Sequence, residues 1–212
     1  MRRPPLLSLA LALTLLVLYA LAVLHGGSFF YGLSPQTALD YGAVPREPSV
    51  GAFFISLFLH SSFPALIVDL LALAIFGFAV EDALGRARFL MLYLLAAAAA
   101  VGLQLLLAPN SAVPAFGAAA AVAAVLAAHL LLHPHARVVS LVLLPFFATI
   151  VEVPAVLYLT LWLGLQLWFT IGGVSSPIVG NRGAACVALA CGALVGSLFA
   201  RVALPAQGRV AA

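Results

Sequence analysis

The chain has 212 residues, of which 66% are hydrophobic and only 7% charged, with a formal net charge of +3. A soluble domain carries about a quarter of charged residues, so these figures exclude a water-soluble globule and place the chain in lipid. All nine basic residues are arginines scattered between the hydrophobic runs, without the basic cluster that a nucleic-acid partner requires.

Apolar runs of about 20 residues, rising 1.5 Å each, cross a hydrocarbon core of about 30 Å, and six fit into the chain. The first covers 6–24. Arg2 and Arg3 precede it, as in a secretory signal, but the run is long and lacks a small-residue cleavage site, so it reads as a retained helix. Residues 25–63 form a long first loop rich in glycine and proline. A second run, from Phe53 to Val80, is interrupted by Ser61, Ser62 and Pro64; proline favours the first turn, which sets this helix at 64–80.

A third span covers 89–107, and Pro109 to Ala112 is a short turn. The fourth covers 114–132 and ends at His133, Pro134 and His135. A mixed segment with Pro145 and Pro154 leads to a fifth span at 155–171, a Gly/Ser/Pro-rich loop from Gly172 to Arg182, and a sixth span at 184–200. The expectation is one all-α membrane domain over 1–212 with six transmembrane helices. Cys186 and Cys191 lie five residues apart on different faces of one helix. Neither a disulfide nor a metal site is expected, and no cofactor.

Arginines near span ends accumulate on the cytoplasmic side. With the N-terminus inside, Arg2, Arg3, Arg86, Arg88, Arg137, Arg201 and Arg209 fall there and only Arg46 and Arg182 outside. That distribution predicts six spans with both termini cytoplasmic.

Between the second and third spans, Gly77, Glu81 and Gly85 recur every four residues ahead of Arg86, Arg88 and Phe89. Glu81 sits at a membrane boundary, where Arg86 and Arg88 are placed to form a structural ion pair with it. This segment resembles the same junction of the rhomboid family. Phe58-Leu59-His60, Pro114-Ala115-Phe116-Gly117 and Glu152-Val153-Pro154-Ala155 with Trp162 and Gln166 fall into the same register. The resemblance covers about residues 31–203 and implies a six-helix bacterial rhomboid in the cytoplasmic membrane.

Rhomboids cleave peptide bonds inside the membrane with a serine and a histidine, and on that register the serine position is Ala119, within Gly117-Ala118-Ala119-Ala120-Ala121. The histidine position, fixed by Gly192 and Gly196, is Leu189. Alanine cannot attack a carbonyl and leucine cannot accept the proton. The resemblance places the oxyanion-stabilising histidine and asparagine at Ala65 and Asp69, where an ionised carboxylate would repel the developing charge. Gly51 and Ala52 stand where the family commonly has a Trp-Arg pair.

The packing residues remain. Ala188, Gly192 and Gly196 repeat every four residues on the sixth helix, Gly117 and Ala121 do so on the fourth, and Ala96 to Ala100 line the third, a pattern that permits close helix contact in lipid. Asp69 costs about 2.5–3.5 kcal/mol at a helix centre and calls for protonation, hydration or a partner. His60, Gln104, His129, Glu152 and Gln166 show no metal-ligand spacing.

The functional expectation is a rhomboid-like pseudoprotease that binds transmembrane segments of client membrane proteins or serves as an accessory subunit of a membrane complex. The alternative is a serine endopeptidase, either a mutated form or one acting through Ser111, Ser140, Ser175, Ser176 or Ser197. A small-solute carrier has little support, because no inverted repeat is visible.

Overall fold

The structure is a computed structural model that describes residues 6–29, 32–144, 147–171 and 182–203, the side chains of 140–150, 167, 169–171 and 182–185 excepted. Arg2, Arg3, Arg209, the loop at 172–181 with Ser175 and Ser176, and Pro145 lie outside the described residues.

The elements in chain order are α1 (Leu6–Leu24), α2 (Pro35–Tyr41), α3 (Val50–Ser56), α4 (Phe63–Ala72), a π-helical turn (Leu73–Gly77), α5 (Phe78–Leu84), α6 (Arg86–Leu107), α7 (Ala118–Leu132), β1 (Arg137–Leu144), β2 (Phe147–Pro154), α8 (Ala155–Ile171) and α9 (Arg182–Ala203). Among the described residues, four stretches are long and apolar enough to cross a bilayer: Leu6–Leu24, Phe63–Leu84, Arg86–Leu107 and Cys186–Ala203. Ala118–Leu132 and Ala155–Gln166 are shorter apolar helices.

The structure is mostly helical, consistent with the all-α expectation, with one addition: β1 and β2 form an antiparallel hairpin from the Arg137↔Pro154 pair to the Leu144↔Phe147 pair. Its strands are dense in Val, Ile and Phe, whose stiff or bulky side chains favour the pleated conformation. The first loop also carries structure. Ser34 caps α2, its Oγ accepting from Thr37 N at 3.1 Å ahead of Pro35, and Ser49 does the same for α3 through Ala52 N. Gly32 adopts a φ of +93°, and a Cβ there would stand 2.1 Å from the Ser61 carbonyl oxygen, so this crossing of the loop on itself requires glycine.

The second helical run passes through the π-helical turn, continues beyond Val80 to Leu84 and reverses at Gly85, where φ is +78°. At this corner Glu81 is buried and turned inward. Its Oε1 accepts from Leu7 N at 3.2 Å, and its Oε2 accepts from Ser8 N and Ser8 Oγ at 2.7 Å each. The carboxylate therefore caps α1 from another helix, satisfying donors that a helix start leaves open and meeting the positive end of its dipole. Arg86 Nε lies 3.6 Å from Oε1, whereas Arg88 is exposed.

α7 opens at Ala118 instead of residue 114, because Pro114 to Gly117 are engaged elsewhere. Ala115 exchanges backbone hydrogen bonds with Ala43, and Gly117 N donates to the Ser56 carbonyl at 2.9 Å. These contacts lock the first loop onto the entrance of α7. α7 is itself buried along almost its whole length, with α6 and α9 against it.

The α7–α9 contact is backbone to backbone. A Cβ added at Gly192 would lie 2.0 Å from the Ala120 carbonyl oxygen, and one at Gly196 would lie 2.2 Å from that of Ala124. Ala100, Ala120 and Ala188 meet as a small apolar cluster joining α6, α7 and α9. Gly117 completes the seam against α6, where a Cβ would stand 2.9 Å from the Ala97 carbonyl oxygen.

Because the obstructing atoms are backbone, Gly192→Val has no side-chain rearrangement to relieve it. It is expected to destabilise the fold by about 3 kcal/mol or more, read as a lowered unfolding midpoint in mild detergent. Ala193→Val, one residue along the same helix, is expected to change the midpoint far less.

Candidate functional site

The seam carries the two positions that the family register assigns to nucleophile and base. Ala119 is half-buried near the start of α7, and Leu189 on α9 is buried; both belong to the main apolar cluster. A methyl group and an isobutyl group supply neither a nucleophile nor a proton acceptor. Gly192 and Gly196, one and two turns beyond Leu189, hold the close packing described above.

A second group of side chains lies between α4 and α8. α4 puts Ala65 and Asp69 one turn apart on one face; Ala65 is half-buried and Asp69 is wholly buried. His60, in the connection leading into α4, places Nε2 2.9 Å from Asp69 Oδ2. From α8, Trp162 Nε1 donates to Oδ1 at 3.0 Å and Gln166 Nε2 donates to the same oxygen at 2.5 Å. Trp162 and Gln166 are four residues apart and so project from one face of their helix.

The geometry is that of a buried anion site. Three donors from two other segments converge on one carboxylate, compensating a charge that low-dielectric surroundings would otherwise make costly. Among the described residues, His60 Nδ1 is enclosed and has no hydrogen-bond partner. Asp69 Oδ1 is engaged twice and Oδ2 once, so the group acts as an acceptor node joining α4, the loop before it and α8.

This arrangement bears on the oxyanion positions. An oxyanion is stabilised by donors aimed at the place where negative charge develops. Ala65 has no donor, and at Asp69 an anion already holds the donors that surround it. The sequence reading singled out Asp69 but not its partners. The available signal was a buried acid requiring donors, with His60 nine residues before it and the Trp162/Gln166 pair at helical spacing.

Asp69→Leu leaves His60, Trp162 and Gln166 facing a hydrocarbon side chain. It is expected to cost about 3–5 kcal/mol, the range for removing one member of a buried charged pair. Asp69→Asn keeps one acceptor oxygen and is expected to cost about 1–3 kcal/mol. Unfolding midpoints of the two variants in the same detergent test this order, and equal midpoints would refute the three-donor assignment.

A family model described as the rhomboid domain matches residues 47–206, which is more than half of the chain and runs from just before α3 past the end of α9. Searches of curated proteins and of solved structures return no significant match. The matched region contains the Asp69 cluster, the α7–α9 seam and the apolar helices between them, and the chain is accordingly a membrane protein of the rhomboid family.

Proposed function

We propose that this chain is a non-catalytic rhomboid-like protein that binds transmembrane segments of other membrane proteins, as a client-recognition protein or as an accessory subunit of a membrane complex. Rhomboid proteins are typically intramembrane serine peptidases, and the reading departs from that activity on one observation. The Asp69 carboxylate is wholly buried and bonded by His60, Trp162 and Gln166, beside Ala65, in a chain that has alanine at residue 119 and leucine at residue 189.

The same reading takes all six apolar helices as membrane spans, with both termini on the cytoplasmic side of a bacterial inner membrane. The arginine distribution supports it. α7 has only 15 residues, about 22 Å of helix, and its entrance loop is hydrogen-bonded to Ala43 and Ser56. Non-helical backbone is tolerated at membrane depth when protein surrounds it in this way. α8 buries a narrow stripe, Ala155, Leu159, Trp162 and Gln166, and exposes Leu157, Leu161 and Trp168. That outer face is the surface offered to a client helix.

A fluorophosphonate probe applied to the protein in membranes is expected to give no labelling above background; reproducible labelling abolished by mutating a single serine would overturn the non-catalytic reading. Restoring the dyad as Ala119→Ser with Leu189→His is expected to leave turnover about 10²–10³-fold below that of a rhomboid with its oxyanion donors intact. A photoreactive residue at Leu161 is expected to crosslink to protein in the native membrane, and capture of lipid alone would remove the basis for client binding.

A further inference from the structure

A cavity of about 700 Å³ opens between the π-helical turn and α5 on one side and the end of α7 and start of β1 on the other. Its two halves differ in chemistry. Ile75, Phe76 and Ala79 give it an apolar floor, and Asp82, His133 and Arg137 give it a polar rim. The helical run of α5 ends at Leu84 and α7 ends at Leu132, so the rim lies where the apolar helices stop, the depth of lipid headgroups.

Two further observations mark this cavity. His129 lines it and is only 5% exposed, yet neither ring nitrogen has a hydrogen-bond partner among the described residues. A neutral imidazole carries one donor and one acceptor, and leaving such groups buried and unpaired is costly. The Phe76 ring edge at 4.9 Å and the His133 ring at 5.1 Å occupy its flanks. The floor is also formed by the helix's one π-helical turn among the described residues, a distortion that recurs at binding sites.

We infer that the cavity seats a phospholipid, with its phosphodiester on Arg137 and His133 and its glycerol end over Phe76 and Ala79. Arg137 is available for this: among the described residues its ion pair is with Glu152 at 3.7 Å, and both side chains are more than half exposed, a kind of pair that contributes little. The guanidinium fork suits phosphate oxygens. The acidic Asp82 on the rim disfavours multiply charged phosphates and selects a singly charged phosphodiester, whose headgroup hydroxyl or ammonium it can accept. His129 then meets a lipid oxygen from below.

The test uses the full chain, delipidated in mild detergent, with native mass spectrometry and thermal unfolding as readouts. Phosphatidylglycerol and phosphatidylethanolamine are expected to remain bound and to raise the midpoint, whereas diacylglycerol and millimolar inorganic phosphate are not. His133→Ala with Arg137→Ala should weaken lipid binding about tenfold or more, as expected for loss of charge-assisted contacts, with the lipid-induced rise read against the variant's own lipid-free midpoint because His133 also lies 3.5 Å from the Ala79 carbonyl oxygen. Arg201→Ala, an exposed arginine at the end of α9, should leave binding intact. Equal retention of diacylglycerol would reduce the cavity to an apolar slot, and an equal effect of inorganic phosphate would assign it to a soluble ligand. Equal losses in Arg201→Ala, or no loss in the double variant, would show non-specific charge only. Each of these overturns the assignment.

Discussion

The carbonyl oxygens of Ala120 and Ala124 occupy the space in which Gly192 and Gly196 would carry side chains, and the rest of the bundle is arranged around that contact. Lipid tails are as apolar as leucine, so helices in a bilayer gain nothing from burying hydrocarbon against one another and associate through close packing instead. The closest packing here is backbone on backbone, extended to α6 through Ala97, Ala100 and Gly117. It encloses α7 and lets a helix of 15 residues, entered by a loop pinned to Ala43 and Ser56, sit within the bundle. Nothing in this seam requires a hydroxyl or an imidazole. Ala119 and Leu189 fit into its apolar cluster, so the packing of these two helices is complete without a polar side chain at either position.

The buried polar groups show how the bundle accommodates charge. Glu81 takes three donors from the start of α1, where the helix dipole has the matching sign. Asp69 takes three side-chain donors from elsewhere in the chain. Both are removed from water and both are compensated within the protein, as a membrane interior demands. Their structural consequences differ. Glu81 fixes where α1 begins, whereas Asp69 supplies polar anchors for α8, a helix whose buried stripe otherwise consists of Ala155 and Leu159. The polar part of the attachment of α8 to α4 thus runs through one carboxylate.

Hydropathy made the long helices legible, because runs such as Leu6–Leu24 and Arg86–Leu107 have no other reading at this composition. Their ends were less so. The Pro114 to Gly117 stretch is apolar enough to read as helix, but its backbone groups bond to Ala43 and Ser56, contacts distant in sequence. The hairpin was hidden because Val138 to Val153 is as hydrophobic as a span, and short apolar runs do not separate strand from helix by periodicity. α2 and α3 did carry local signals, Ser34 before Pro35 and Ser49 before Val50. At the site, the assignment of residues 65, 69, 119 and 189 rests on the family register alone. The partners of Asp69 could not be read in this way, since Trp162 and Gln166 lie 93 and 97 residues away and meet it only through the packing of α8 on α4.

The chemistry around residue 69 bears directly on the proposed non-catalytic reading. His60, Trp162 and Gln166 all present N–H groups to it, a surrounding complementary to an anion with two acceptor oxygens. An amide at that place offers one acceptor and brings two donors of its own, so an N–H would face donors already present. Returning the amide therefore requires changing its neighbours as well, and returning serine and histidine at 119 and 189 does not address it. Stabilisation of an oxyanion is often the largest single contribution to acyl-transfer catalysis. An acid at residue 69 that holds α4 and α8 together is therefore the feature on which the proposed non-catalytic reading rests.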